Sequence, residues 1–182
     1  MPELTPITWS DFDYFGALYD GQKFDSESEP SYTGGSLNNT VFEGDISLPA
    51  GSGFRYAVSS SWFGLTFMEK SGALEISTAG AVYINGNTGT AYTLDAEKYD
   101  LTTFTNQRFT VKIELYNLAD DNLSANVNIY VNKKLVAENI TLTGTAGNTT
   151  QLGNKLGFAN TNAGLPGGAT IYDTMPELTP IT

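Results

Sequence analysis

Two stretches of this chain alternate apolar and polar residues so strictly that only a strand with one face on a core can satisfy both. From Arg108 to Tyr116, Phe109, Val111, Ile113 and Leu115 fall on one side, with Arg108, Thr110, Lys112, Glu114 and Tyr116 on the other. Asn126–Asn132 repeats the pattern, setting Val127, Ile129 and Val131 against Asn126, Asn128 and Tyr130. A period of two belongs to the β-strand. Further strands are expected at Val41–Leu48, Phe54–Ser59, Trp62–Met68, Ala73–Ser77, Ala81–Ile84 and Val136–Leu142. Turn residues punctuate them, among them Gly34-Gly35, Ser71-Gly72, Asn85-Gly86 and Gly167-Gly168. No stretch sustains an apolar period of 3.6, and Leu94–Lys98 is long enough for only one helical turn.

About a dozen short strands in 182 residues predict an all-β domain of two packed antiparallel sheets, a jelly-roll sandwich with little or no helix. Its inner faces should hold Phe109, Val111, Ile113, Val127, Ile129, Phe63 and Leu65. A chain of this length buries roughly 70% of the surface exposed when unfolded, enough to stand without disulfides or metals.

An eight-residue repeat sets the organisation. Met-Pro-Glu-Leu-Thr-Pro-Ile-Thr occurs at residues 1–8 and again at 175–182. Either the chain is one unit of a tandem array plus the opening of the next, or the segment was duplicated by design. Its prolines bias their neighbours to extended conformations, so it reads as a linker running into an edge strand. The expected division is therefore a repeat-start segment at 1–8, a single sandwich at 9–174, and a second repeat start at 175–182.

Composition then excludes whole classes of chemistry. There is no Cys and no His, which removes disulfides, thiolate ligands, the thiol nucleophile and the commonest general base. Nine basic residues against twenty acidic ones leave a net charge of −11. Phosphate neutralisation needs clustered Lys and Arg, and the one close basic pair is Lys133-Lys134. Nucleic acid is an unexpected partner. No apolar run reaches the roughly 18 residues that mark a membrane-spanning helix, and residues 1–8 lack the basic and apolar regions of a signal peptide. A Cys-free, acidic chain rich in Thr, Asn, Ser and Gly fits an extracellular, surface-attached bacterial protein.

The run Phe109-Thr-Val-Lys-Ile-Glu-Leu, followed by Ala125-Asn-Val-Asn-Ile-Tyr-Val-Asn-Lys-Lys-Leu, resembles a signature of concanavalin A-like sandwiches, including laminin G-like modules. Leu152-Gly-Asn-Lys-Leu-Gly-Phe158 is similar to the penultimate strand of that group, and Trp62-Phe-Gly-Leu-Thr-Phe67 to its central strand. One departure stands out: Asn132-Lys133 replaces the Asn-Gly usual at that turn. The group contains lectins, glucanases and structural spacers, so the likeness leaves function open. Its retaining glucanases carry Glu-x-Asp-x-x-Glu on one strand, placing carboxylates at the spacing that nucleophile and acid require. Here Glu43-Gly44-Asp45-Ile46-Ser47-Leu48 has leucine in the third position, so the proton donor is missing and no catalysis is expected.

A glycan site would need an exposed aromatic face with hydrogen-bonding neighbours. Trp62 is one candidate, exposed or buried according to which set of its strand fills the core. The outward row Arg108, Lys112, Tyr116, Asn126, Asn128 and Tyr130 is another, although the comparable hairpin of galectins lies on the sheet away from the sugar. Calcium, frequent in this group, would need converging oxygens. Asp120-Asp121-Asn122 is the nearest cluster and reads first as a solvated turn; no cofactor is expected. Two functions survive: a glycan- or matrix-binding module of an adhesin, or a structural repeat that contacts neighbouring repeats and extends a terminal adhesive domain.

Overall fold

The computed structural model describes residues 2–13, 22–24, 30–59, 64–79, 82–145, 151–157 and 168–172. In chain order the strands are β1 (Thr5–Ile7), β2 (Phe12–Asp13), β3 (Gln22–Phe24), β4 (Ser31–Tyr32), β5 (Thr40–Ser47), β6 (Gly53–Val58), β7 (Gly64–Lys70) and β8 (Ala73–Ala79). They continue as β9 (Tyr83–Ile84), β10 (Gly89–Leu94), β11 (Phe109–Tyr116), β12 (Ser124–Val131), β13 (Lys134–Thr143), β14 (Lys155–Gly157) and β15 (Ala169–Tyr172). Among the described residues, the helical pieces are two single 3-10 turns, Trp9–Asp11 and Ala96–Tyr99. The second begins two residues into the one helical turn expected.

One sheet runs β3-β15-β5-β11-β12-β13-β9 with β1 beside β5, and the other runs β10-β8-β7-β6-β14-β4-β2. The protein is thus a two-sheet, jelly-roll-like β-sandwich. Alternation placed the core correctly: Phe109, Val111, Ile113, Val127, Ile129 and Leu65 are all fully enclosed. Phe63 and Trp62 lie outside the described residues. Across the sandwich from β11 and β12, Phe54 stacks on Phe67 at 4.9 Å, and Phe104 meets Phe109 edge-on at 5.2 Å, the offset and T-shaped geometries aromatic quadrupoles favour. β10 has no counterpart among the expected strands. It is an edge strand exposed along most of its length, with Leu94 its one buried residue, so no alternation betrays it.

The hairpin departure at Asn132-Lys133 has a definite outcome. Val131 pairs with Lys134, which leaves a two-residue loop whose φ angles are 47° and 66°. Two positive φ values define the primed turn that matches strand twist. Asn132 tolerates this region, and its side chain is used twice, accepting from Thr110 N at 2.8 Å and donating to Tyr99 O at 2.7 Å. Lys133 is exposed and has a Cβ in a region that disfavours one. Lys133→Gly is expected to stabilise the fold by about 1 kcal/mol, measured as a raised urea midpoint at unchanged slope. A lower midpoint would contradict the turn assignment.

β5 organises the start of the chain. Along one of its edges, β15 pairs antiparallel with Asp45–Ser47 and β1 pairs parallel with Thr40–Phe42. The two strands therefore lie end to end in one lane, their C-terminal ends facing each other. A parallel pair inside a sheet expected to be antiparallel is made possible by the long connection from Ile7 to Thr40, which passes through β2 and β4 of the other sheet before β5 begins. Thr5 N–H donates to Asn39 O at 2.8 Å, so by alternation the N–H that Pro6 lacks would point to the open side. Proline there blunts an edge. Ile7 enters the core at 6% exposure, and Trp9 follows it.

Candidate functional site

The outward face of β5, β11 and β12 carries the residues singled out from the sequence. Register sets Arg108 beside β5, Lys112 opposite Glu43 and Tyr130, and Tyr116 opposite Asn126. Arg108, Lys112, Tyr116, Asn126, Asn128 and Tyr130 do share this face, but they split into three groups with different employment.

The first group centres on Asp45. Arg108 donates through Nε at 2.8 Å, its Nη2 lies 2.7 Å from the same carboxylate oxygen, and Thr110 Oγ1 donates to the other oxygen at 2.6 Å. The guanidinium also lies over the Tyr172 ring at 4.3 Å, a cation–π contact. Asp45 is thus a bridge that ties β11 and β15 to β5. Glu43 stands beside it on the same face, two residues earlier, and Leu48, in the third position of the carboxylate pattern, is wholly inside the core.

The second group fills a defect in the ladder. β12 and β13 shift register between Val127 and Ile129, and Asn139 adopts φ 52° there, the mark of a bulge. Asn128 Oδ1 accepts the N–H of Asn139 at 2.6 Å, and Asn128 Nδ2 donates to Glu114 Oε1 at 3.1 Å. Tyr116 donates its hydroxyl to Asn139 Oδ1 at 3.0 Å. Asn128 is 5% exposed and Tyr116 is buried as well. Both point outward as alternation requires, yet their polar atoms serve the bulge.

Lys112 and Tyr130 form the third group, the ammonium lying 4.9 Å from the ring centre. Burial, followed by the neighbouring Glu114 carboxylate, raises the pKa of the Tyr130 hydroxyl. Both side chains are half-exposed, as is Asn126, which accepts from Asn117 Nδ2 at 3.1 Å. Beside Lys112, the outer edge of the sheet opens into a recess of about 390 Å³ lined by Pro6, Ile7, Thr8, Asp11, Val41 and Glu43.

The remaining candidates lie apart. Asp120, Asp121 and Asn122 are exposed, and Asp121 Oδ1 accepts from Leu123 N at 3.0 Å, an Asx turn. Among the described residues, no group of three or more acidic side chains converges as metal ligation would require. Two buried charges were not singled out from the sequence. Arg55, on the face of β6 opposite Phe54 and Tyr56, is 3% exposed, donates from Nε to Thr66 Oγ1 at 3.2 Å, and has its pKa lowered by burial to about 10. Glu69 closes one end of the sandwich. Alternation was the available signal for both: Arg55 stands between Phe54 and Tyr56, and Glu69 continues the inward phase of Leu65 and Phe67.

The sequence matches no protein-family model, and comparison with curated proteins gives no significant match. No described helix is long and apolar enough to cross a membrane.

Proposed function

We propose that this chain is a non-catalytic structural repeat of an extracellular surface protein, set in series with further copies and extending an adhesive region it does not itself contain. One observation carries the reading. The octapeptide present twice supplies, in its first copy, the strand β1 (Thr5–Ile7) of the sandwich, and its second copy begins three residues after β15. If the second copy docks in its own unit as the first does, Tyr172 and the next β1 are seven residues apart, a reach of about 23–25 Å at most. Successive sandwiches would then abut, which makes a stiff stalk rather than beads on a flexible string. The Cys-free, acidic composition supports the extracellular setting. The glycan- or matrix-binding reading draws on the β11–β12 face, where Tyr116 and Asn128 already spend their polar atoms on the bulge.

A protein of two units in series is expected to scatter X-rays as a rod about twice as long as one unit, with a narrow distribution of end-to-end distances. A broad distribution, or a specific glycan-array signal lost on Tyr130→Ala, would overturn the structural reading in favour of the binding one.

A further inference from the structure

We propose that the lane along Thr40–Phe42 of β5 accepts the Thr179-Pro180-Ile181 segment of a second copy of this chain, in the place held by Thr5-Pro6-Ile7, so that chains link head to tail by strand exchange. The inference rests on reading the octapeptide as a unit boundary and adds a partner to it.

The observed β1 shows how this sequence docks. Three residues pair in parallel with β5, Thr5 N–H is bonded to Asn39 O, and Ile7 fills the core while Pro6 faces out. Residues 179–181 are chemically identical to 5–7, so they can make the same bonds and bury the same isoleucine. Replacing one copy by the other exchanges equal contacts, the condition under which domain swapping has little cost. The boundary is also clean. Only residues 5–7 are paired, and Trp9, which begins the acceptor's own core, can stay in place when they leave.

Direction decides between a chain's own lane and another's. β15 runs antiparallel to β5, from Ser47 towards Asp45, so its direction at Tyr172 points towards Thr40. To dock in parallel within its own unit, the chain would have to pass the lane, reverse, and re-enter at Thr40. The span from Asp45 to Thr40 is already about 17 Å, and the seven residues from Tyr172 to Thr179 reach about 23–25 Å at most. That leaves almost nothing for the reversal. A second molecule needs no reversal, and once its own Thr5-Pro6-Ile7 leaves the lane it offers a sheet edge of the kind through which strand addition proceeds.

The absence of cysteine makes the test clean. Pro6 and Val41 are paired in register, both outward of the core, so Pro6→Cys with Val41→Cys in the full chain should close a disulfide within one molecule. Val41→Cys with Pro180→Cys should instead give a ladder of covalent dimers, trimers and longer species on a non-reducing gel, growing with protein concentration. Adding Ile181→Asp to that variant should reduce the ladder at least tenfold, which separates docking from random collision. A closed monomer from the Val41–Pro180 pair, no crosslink while the Pro6–Val41 pair closes, or a ladder indifferent to Ile181→Asp would each overturn the proposal and leave the rod measurement on two units standing. Failure of the Pro6–Val41 pair to close would remove the lane itself.

Discussion

Trp9→Ala is expected to lower the free energy of unfolding by about 3–5 kcal/mol, the usual range for removing a large buried aromatic. Trp9 is 2% exposed and meets Phe42 and Phe54 edge-on at 4.8 and 5.8 Å, which joins β5 of one sheet to β6 of the other. The indole fits because position 44 is glycine. A β-carbon there would stand 2.5 Å from Trp9 Nε1. The same nitrogen donates to Asp45 O at 3.0 Å, so the ring is fixed in orientation as well as position. Nothing small can refill that volume, and the residual cavity adds to the lost transfer energy. For a domain of this size the loss corresponds to a fall in melting temperature of roughly 6–20 °C. Trp9→Phe should lie between, keeping much of the packing and losing the hydrogen bond. A loss under about 1 kcal/mol for the alanine variant would mean that the chain start is not anchored where the structure puts it, and the strand lane beside it would lose its support.

This tryptophan also marks where sequence reading stops. β11 and β12 were legible because each has one face in the core and one in water, so a period of two appears in the letters themselves. Ile7 and Trp9 have no such period. They reach the core through a three-residue parallel strand and a single 3-10 turn, and a parallel partner 35 residues away leaves no local trace. The candidate site divides in the same manner. Alternation gave the direction of Arg108, Tyr116, Asn128 and Tyr130 correctly, since direction follows from strand phase. It could not give their neighbours. Tyr116 and Asn128 are held by Asn139, which reaches them because β13 bulges, and a bulge erases the periodicity by which strands are read. Asp45 was visible as an outward carboxylate, but its pairing with Arg108 spans 63 positions and depends on register. Trp62 falls outside the described residues, so its role as a platform is carried by sequence alone.

Glu69 should be the second costly position, at about 3 kcal/mol for Glu69→Ala. It lies on β7 at 2% exposure, on the inward phase of Leu65 and Phe67, yet at the end of the sandwich where three loops converge. Its carboxylate accepts from Gly51 N at 2.8 Å, from Gly72 N at 2.9 Å, and from the hydroxyl of Thr105. Gly72 O in turn accepts from Phe104 N, and Leu48 O from Asn106 N, so one side chain fastens the segments around Gly51, Gly72 and Thr105 together. Truncation leaves those donors without that partner in a part-buried place, where an unmade bond to a fully enclosed donor would cost about 1–3 kcal/mol and these cost towards the lower end. Glu69→Gln keeps the shape but presents an amide NH2 where a backbone N–H needs an acceptor, so it should recover only part of the loss. The pH dependence distinguishes the carboxylate from mere packing. Burial by itself would raise the Glu69 pKa, but hydrogen bonds from Thr105, Gly51 and Gly72 outweigh it, and the net shift is downward. A carboxylate whose folded pKa lies below its unfolded value of about 4.3 stabilises the fold above that value. The contribution disappears as pH falls through the lower, folded pKa. The stability gap between the parent chain and Glu69→Gln, measured by urea unfolding, should therefore be full at pH 7 and narrow progressively below about pH 4. A gap that stays constant down to pH 2 would show that Glu69 acts through shape alone, and the three hydrogen bonds would have to be reassigned.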